Sequence, residues 1–102
     1  ELMDYPPAAH MMAVLGSCPE EELLIQAMHY LQLYINRIYK KKDLHVIGPA
    51  YASVGKVKDI YRQVIYLKHE DYGTLVRIRD QMEKYIEINS GFRKIYIQFD
   101  FS

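Results

Sequence analysis

Two stretches with apolar residues at helical spacing, four runs with strand character, and the order in which they alternate predict an α+β domain, β-α-β-β-α-β. The chain has 102 residues, half of them hydrophobic and a quarter charged, which suits one domain able to bury a core without disulfide or metal staples.

The first element is HMMAVLGS at 10–17, a short apolar run expected to form a buried strand ending at Gly16. SCPEEELL then reads as a helix start. Ser17 and Glu20 have capping-box spacing, Pro19 sits in the first turn, where its missing N–H has no partner to lose, and three Glu favour the positive dipole end. Leu24, Ala27, Met28, Leu31, Ile35 and Ile38 recur at three- and four-residue steps, so one apolar stripe should run to about Tyr39. Arg37, Lys40, Lys41 and Lys42 crowd the negative end of that helix.

VIGPAYASVGKVKDIYRQVIYLK, at 46–68, holds two strands' worth of apolar residues around a cationic middle. DLHVIG enters as a strand, Gly48-Pro49 bends or interrupts it, AYASVGKVKD continues with Gly55 and Asp59 as turn or bulge points, and IYRQVIYLK returns. On the return, Gln63, Ile65 and Leu67 share one side, and Arg62, Val64, Tyr66 and Lys68 the other. A second helix is predicted over 72–88, burying Leu75, Ile78, Met82, Tyr85 and Ile86, with Ser90-Gly91 as its stop. FRKIYIQFDF closes the chain in strict alternation, Arg93, Ile95, Ile97 and Phe99 against Lys94, Tyr96, Gln98 and Asp100, a strand with one wet face. Right-handed crossovers then give a ferredoxin-like split βαβ domain over 10–102, a four-stranded antiparallel sheet with both helices on one face and the other open. Residues 1–9 are expected to be an arm from a preceding domain.

Most chemistry is excluded. No apolar run approaches the ~20 residues of a membrane span, no secretory leader pattern is present, and the single Cys18 has no internal disulfide partner, so a reducing, cytoplasmic setting is expected. His10, His29, His45, His69 and Cys18 show no close pair at metal-ligand spacing. No phosphate loop, GxSxG or HExxH occurs, and GPAYASVG has glycines without the following Lys-Ser/Thr helix start. No residue is a candidate for catalysis, and no cofactor is expected on this chain.

Charge and tyrosine point elsewhere. The net charge is zero, but residues 1–36 hold five acids and no Lys or Arg, residues 37–68 hold eight bases against Asp43 and Asp59, and the remainder holds five bases and six acids. Such blocks make a surface with one basic end that attracts phosphates locally. Of ten tyrosines, Tyr66 and Tyr96 fall on strand faces that also carry cations, Arg62 and Lys68 for the first and Lys94 for the second. Rings between cations on an open sheet resemble the platforms that bind single-stranded nucleic acid, although the RRM signature is absent. A structural face with solvated charges is the plainer alternative.

Three segments carry a family resemblance: Tyr5-Pro6-Pro7 before the first strand, GPAYA at 48–52 followed by YRQVIYLK at 61–68, and the closing QFDF. In that order they cover nearly the whole chain, which thereby resembles the C-terminal domain of the bacterial replication-restart helicase, primosomal protein N′ (PriA). Ala8, Tyr51 and the terminal Phe101-Ser102 depart from the family pattern. The resemblance implies a parent that is an ATP-dependent 3′ to 5′ DNA helicase in the bacterial cytoplasm, using ATP, Mg and zinc in parts not contained in this chain. It further implies that this domain assists binding of forked or single-stranded DNA, contacts the helicase core of the same chain, and helps receive the acidic, apolar-ended tail of the single-stranded DNA-binding protein. Lys56, Lys58 and Arg62 are the expected phosphate contacts, Tyr66 the stacking partner, with Lys68, Lys94 and Tyr96 beside them. A purely structural domain packing its open sheet on the helicase core is the alternative; nothing in the sequence favours a regulatory small-ligand domain.

Overall fold

A computed structural model describes residues 9–102, apart from the side chains of residues 54 and 55; the arm expected at 1–9 thus lies, but for Ala9, outside the described residues, as does the side-chain environment of Gly55. The elements run β1 (His10–Cys18), α1 (Glu21–Ile38), β2 (His45–Val57), β3 (Ile60–His69), α2 (Tyr72–Ile88), a 3-10 turn (Ser90–Phe92) and β4 (Tyr96–Phe101). All strand pairs are antiparallel and the sheet is ordered β2-β3-β1-β4. This is the expected α+β class, two helices against an antiparallel sheet.

β1 shows how the pattern works. Met12, Val14, Gly16 and Cys18 are buried, while Met11, Ala13, Leu15 and Ser17 between them are half-buried, because consecutive side chains leave a strand on opposite faces. The inward set meets Ile65 and Leu67 of β3, then Leu24, Met28, Leu31 and Ile35 of α1 and Leu75, Ile78 and Met82 of α2, forming one core on one face. The aromatic rings of Tyr34 and Tyr85 stack 4.1 Å apart between the helices. At Gly16 a Cβ would lie 2.6 Å from Met28 Sδ and 3.1 Å from Leu24 Cδ1, so α1 side chains pack directly onto the β1 backbone where no side chain stands, and an added Cβ would make them shift.

Three expectations change. The expected capping box does not form. Ser17 and Cys18 continue β1, paired with Arg62 and Tyr61 of β3, so the helix starts at Glu21 with Glu20 as an N-cap that makes no side-chain capping bond. The Glu20 N–H instead reaches Cys18 Sγ at 3.4 Å, and Cys18, 1% exposed, is a core residue. By contrast α2 is capped as its sequence allows: Asp71 Oδ2 accepts from the Thr74 N–H at 3.1 Å and the Thr74 hydroxyl at 2.8 Å.

β2 is also less regular than a plain strand. Its register with β3 shifts between Ile47 and Ala50 and again between Tyr51 and Lys56, and Gly48, at φ +100° before a cis peptide to Pro49, makes the first of these bends. Divided at the Gly48-Pro49 bend, β2 brings the count to five strands rather than the four expected. The hairpin to β3 turns on Lys58 and Asp59, both at positive φ (50° and 66°), the left-handed pair that matches strand twist in a two-residue turn.

β4, finally, begins at Tyr96 rather than near Phe92. Phe92 is buried, and the Phe92, Arg93 and Ile95 N–H groups donate to the carbonyls of Asn89, Ser90 and Phe92, winding 90–95 into turns. Arg93 and Lys94 are consequently off the strand.

Candidate nucleic-acid interface

The register builds the open face row by row, because directly paired residues project to the same side. Ser17 stands between Arg62 of β3 and Tyr96 of β4. Next comes Leu15 between Val64 and Gln98, then Ala13 between Tyr66 and Asp100, with Ile47 of β2 outside Tyr66. Met11, Lys68 and His45 form the last row. The middle rows are small or apolar on β1 and β3 but carry Gln98 and the acid Asp100 on β4, and the cations stand at the two ends.

Arg62 and Tyr96 are the notable pair. They lie two strand spacings apart, about 10 Å, across the small Ser17. Tyr96 is 65% exposed. Neither side chain has a hydrogen-bond, ion-pair or ring partner among the described residues. The acid nearest Arg62 in sequence, Asp59, pairs instead with Lys56 at 3.5 Å. Tyr66 and Lys68 share the same face four and six residues further along β3, Tyr66 half-buried between Ile47 and Ala13. The face thus gathers four of the seven expected site residues.

The other three lie apart from it. Lys58 is exposed at the hairpin turn. Lys56 lies beside it with its ammonium 5.0 Å from the Tyr61 ring centre, and Tyr61 first, Asp59 second, hold it above the ordinary lysine range, so it is cationic. Lys94, which was expected beside Tyr96 on the strand, sits in the preceding turn with its ammonium 3.5 Å from Glu20 Oε2. With Arg93 it borders a shallow cleft of about 310 Å³ whose apolar wall is Leu23 and whose floor includes Ser90 and Gly91.

One polar cluster gave no sequence signal. At the junction of α1, β3 and α2, the Asp71 N–H donates to His69 Nδ1 at 2.8 Å, which fixes the proton of the buried imidazole on Nε2. That N–H faces Tyr39 Oη at 3.0 Å and Asp43 Oδ2 at 3.2 Å, while the Tyr39 hydroxyl donates to Asp43 Oδ1 at 2.6 Å. Partial burial, followed by the bond to Asp43, pushes the Tyr39 phenol up to about 12. The bond from Tyr39 in turn holds Asp43 below the ordinary carboxylate range, as Thr74 does Asp71. Every polar atom of the imidazole is used inside the cluster, which makes it a tie between elements rather than a site. The residues that compose it are too far apart in the chain for spacing to reveal them.

Among the described residues, no group of three His, Cys, Asp or Glu is placed to hold a metal, and no helix is long and apolar enough to cross a membrane.

Comparison with known proteins adds the family. No curated protein matches the chain. Among solved structures, the de novo designed protein Foldit4 superposes with a TM-score of 0.69 over 92% of this chain and 96% of its own, at 12% identity, which speaks for the fold alone. The family model for the primosomal protein N C-terminal domain matches residues 1–101. The chain accordingly belongs to the primosomal protein N C-terminal domain family.

Proposed function

We propose that this domain contacts single-stranded or forked DNA with the open face of its sheet, as an accessory part of a replication-restart helicase. Family membership points to a role in the primosome or in replication restart, and to DNA and replication proteins as partners in general. The element order and the strand order β2-β3-β1-β4 support a ferredoxin-like reading of the fold, whose uncovered face is the surface in question.

The observation that carries the proposal is the Arg62–Ser17–Tyr96 row: a cation without an ion-pair partner among the described residues and an exposed ring, with only the small Ser17 between them. A base stacks on Tyr96 while the backbone passes to the Arg62 guanidinium, and the strand continues towards Tyr66 and Lys68 or to Lys58 at the hairpin. Lys56, already engaged with Asp59 and Tyr61, contributes charge rather than a dedicated contact. Three phosphate contacts on a single strand imply a slope near −2 for log affinity against log salt, at about 0.7 per contact. Anisotropy with a labelled single-stranded oligonucleotide at two salt concentrations measures this. Arg62→Ala combined with Tyr96→Ala should weaken binding about tenfold or more, since each stacked base contributes about 1–3 kcal/mol; unchanged affinity contradicts the assignment.

The cleft beside Leu23, Arg93 and Lys94 suits a different partner. The Arg93 guanidinium next to an apolar wall, with Lys94 beside it in an exposed 3.5 Å pair to Glu20 that a carboxylate ligand can exchange with, matches the acidic, apolar-ended tail of the single-stranded DNA-binding protein, which reassigns Lys94 from DNA to peptide. A second reading of the open face is favoured by its apolar side towards β2, where Ile47 remains 40% exposed: docking on the helicase core of the parent chain. Absence of salt-sensitive DNA binding by this domain would select that reading.

A further inference from the structure

We propose that the groove between α2 and the outer edge of β4 receives an extended segment of a partner protein with alternating apolar and basic side chains, which adds to the sheet as a further strand. The site lies at the side of the sheet, apart from the open face, and stands or falls independently of DNA binding.

The backbone phase of β4 sets the edge. Met11 and Ser102 exchange both backbone bonds, at 3.3 Å and 2.9 Å, and the register runs unbroken from there, so Tyr96, Gln98 and Asp100 bond to β1. Ile97, Phe99 and Phe101 therefore direct their N–H and C=O groups outward, and among the described residues no strand pairs with them. The opposite edge is blunted by Pro49 and the two register shifts of β2, whereas β4 has neither proline nor bulge.

The groove beside that edge supplies side-chain recognition. It encloses about 610 Å³, and its floor is apolar, formed by half-buried Ile86, Ile97 and Phe99. Since Ile97 and Phe99 project to the helix side, every second side chain of an added strand falls onto this floor. The rim is acidic. Asp80, Glu83 and Glu87 face one lysine, Lys84. Arg79 engages Asp80 at 3.3 Å and Glu83 at 3.8 Å, which concentrates the remaining negative charge at Glu87, where the last turn of α2 has no basic residue to offset the helix dipole. A basic occupant fits this rim, and the first eight residues of the chain, with Glu1 and Asp4 and no Lys or Arg, have the wrong charge for it.

The test uses a labelled octapeptide of alternating Lys and Val, its counterpart with Glu for Lys, and the whole chain. The Lys-Val peptide should bind, slow amide exchange at Ile97, Phe99 and Phe101, and lose about tenfold in affinity on Glu83→Lys with Glu87→Lys, two exposed positions whose reversal leaves the core untouched. Equal binding of the Glu-Val peptide, protection appearing elsewhere than at these three amides, or no binding of the Lys-Val peptide would each overturn the proposal.

Discussion

Gly48→Ala is expected to remove about 3 kcal/mol of stability, a large effect for one added methyl group. Two costs combine. Gly48 has φ +100°, a conformation that residues with a Cβ adopt only under strain of about 1–3 kcal/mol. The new Cβ would also lie 2.7 Å from the Val64 carbonyl oxygen of β3 and 3.2 Å from the Ala50 nitrogen of β2 itself, backbone atoms that cannot swing aside as a side-chain end can. Val64 belongs to β3, which lies between β2 and β1 in the sheet, so relief by moving it spreads through the core. Gly91→Ala is the control: nothing lies within 4 Å of its Cβ position, and its stability should stay within about 0.5 kcal/mol of the parent. Urea unfolding followed by circular dichroism measures both; similar midpoints for the two variants would refute the account of the β2 bend.

His69→Ala should cost about 3 kcal/mol as well, through polar groups rather than backbone. The imidazole is 7% exposed and accepts from the Asp71 N–H, the residue that caps α2, while its Nε2–H serves Tyr39 and Asp43 at the end of α1. Its loss strands a backbone donor in a partly buried position at about 1–3 kcal/mol, and removes the bonds and packing on the other side of the ring. His69→Asn separates the two parts, since a side-chain carbonyl can replace Nδ1 as acceptor for Asp71 but cannot reach Tyr39. The Asn variant should therefore lose about half as much as the Ala variant, and amide exchange at Thr74 should rise in the Ala variant alone. Equal losses in both would mean that the Asp71 bond contributes nothing.

These two sites mark where the sequence was and was not legible. Apolar periodicity located α2 at 72–88 as expected and the end of α1 within a residue, at Ile38 against an expected Tyr39, whereas α1 starts at Glu21, about three residues beyond the start that a Ser17 cap implies. The alternation of β3 assigned Arg62, Tyr66 and Lys68 to one face, and the register places them there. Local signals failed where a tertiary partner outbid them. Ser17 has the spacing of a helix cap, but its backbone bonds to Tyr96 of β4 while Arg62 of β3 pairs on its other side, and strand pairing won. Lys94 continues the alternation of β4, yet the burial of Phe92 pulls the preceding residues into turns and carries Lys94 to Glu20. The Tyr39–Asp43–His69 tie joins groups up to 30 residues apart, which no one-dimensional pattern expresses.

The same reasoning explains why Arg62 and Tyr96 become the pair proposed to contact DNA while the hairpin lysines recede. Lys56 and Lys58 stand out in the sequence because they are close together and charged, but Lys56 is satisfied locally and both sit at a tip. Arg62 and Tyr96 are 34 residues apart in the chain and share one row, about 10 Å apart, because β1 runs between their strands. Such a row is what the proposed binding face requires.

Mapping backbone amide shifts while titrating a single-stranded oligonucleotide into the domain tests this claim most directly. The largest changes are predicted at Ser17, Arg62 and Tyr96, extending to Ala13 and Tyr66 across the open face. Changes confined to the hairpin at Lys56–Asp59, or to the helix side of the sheet, would contradict it.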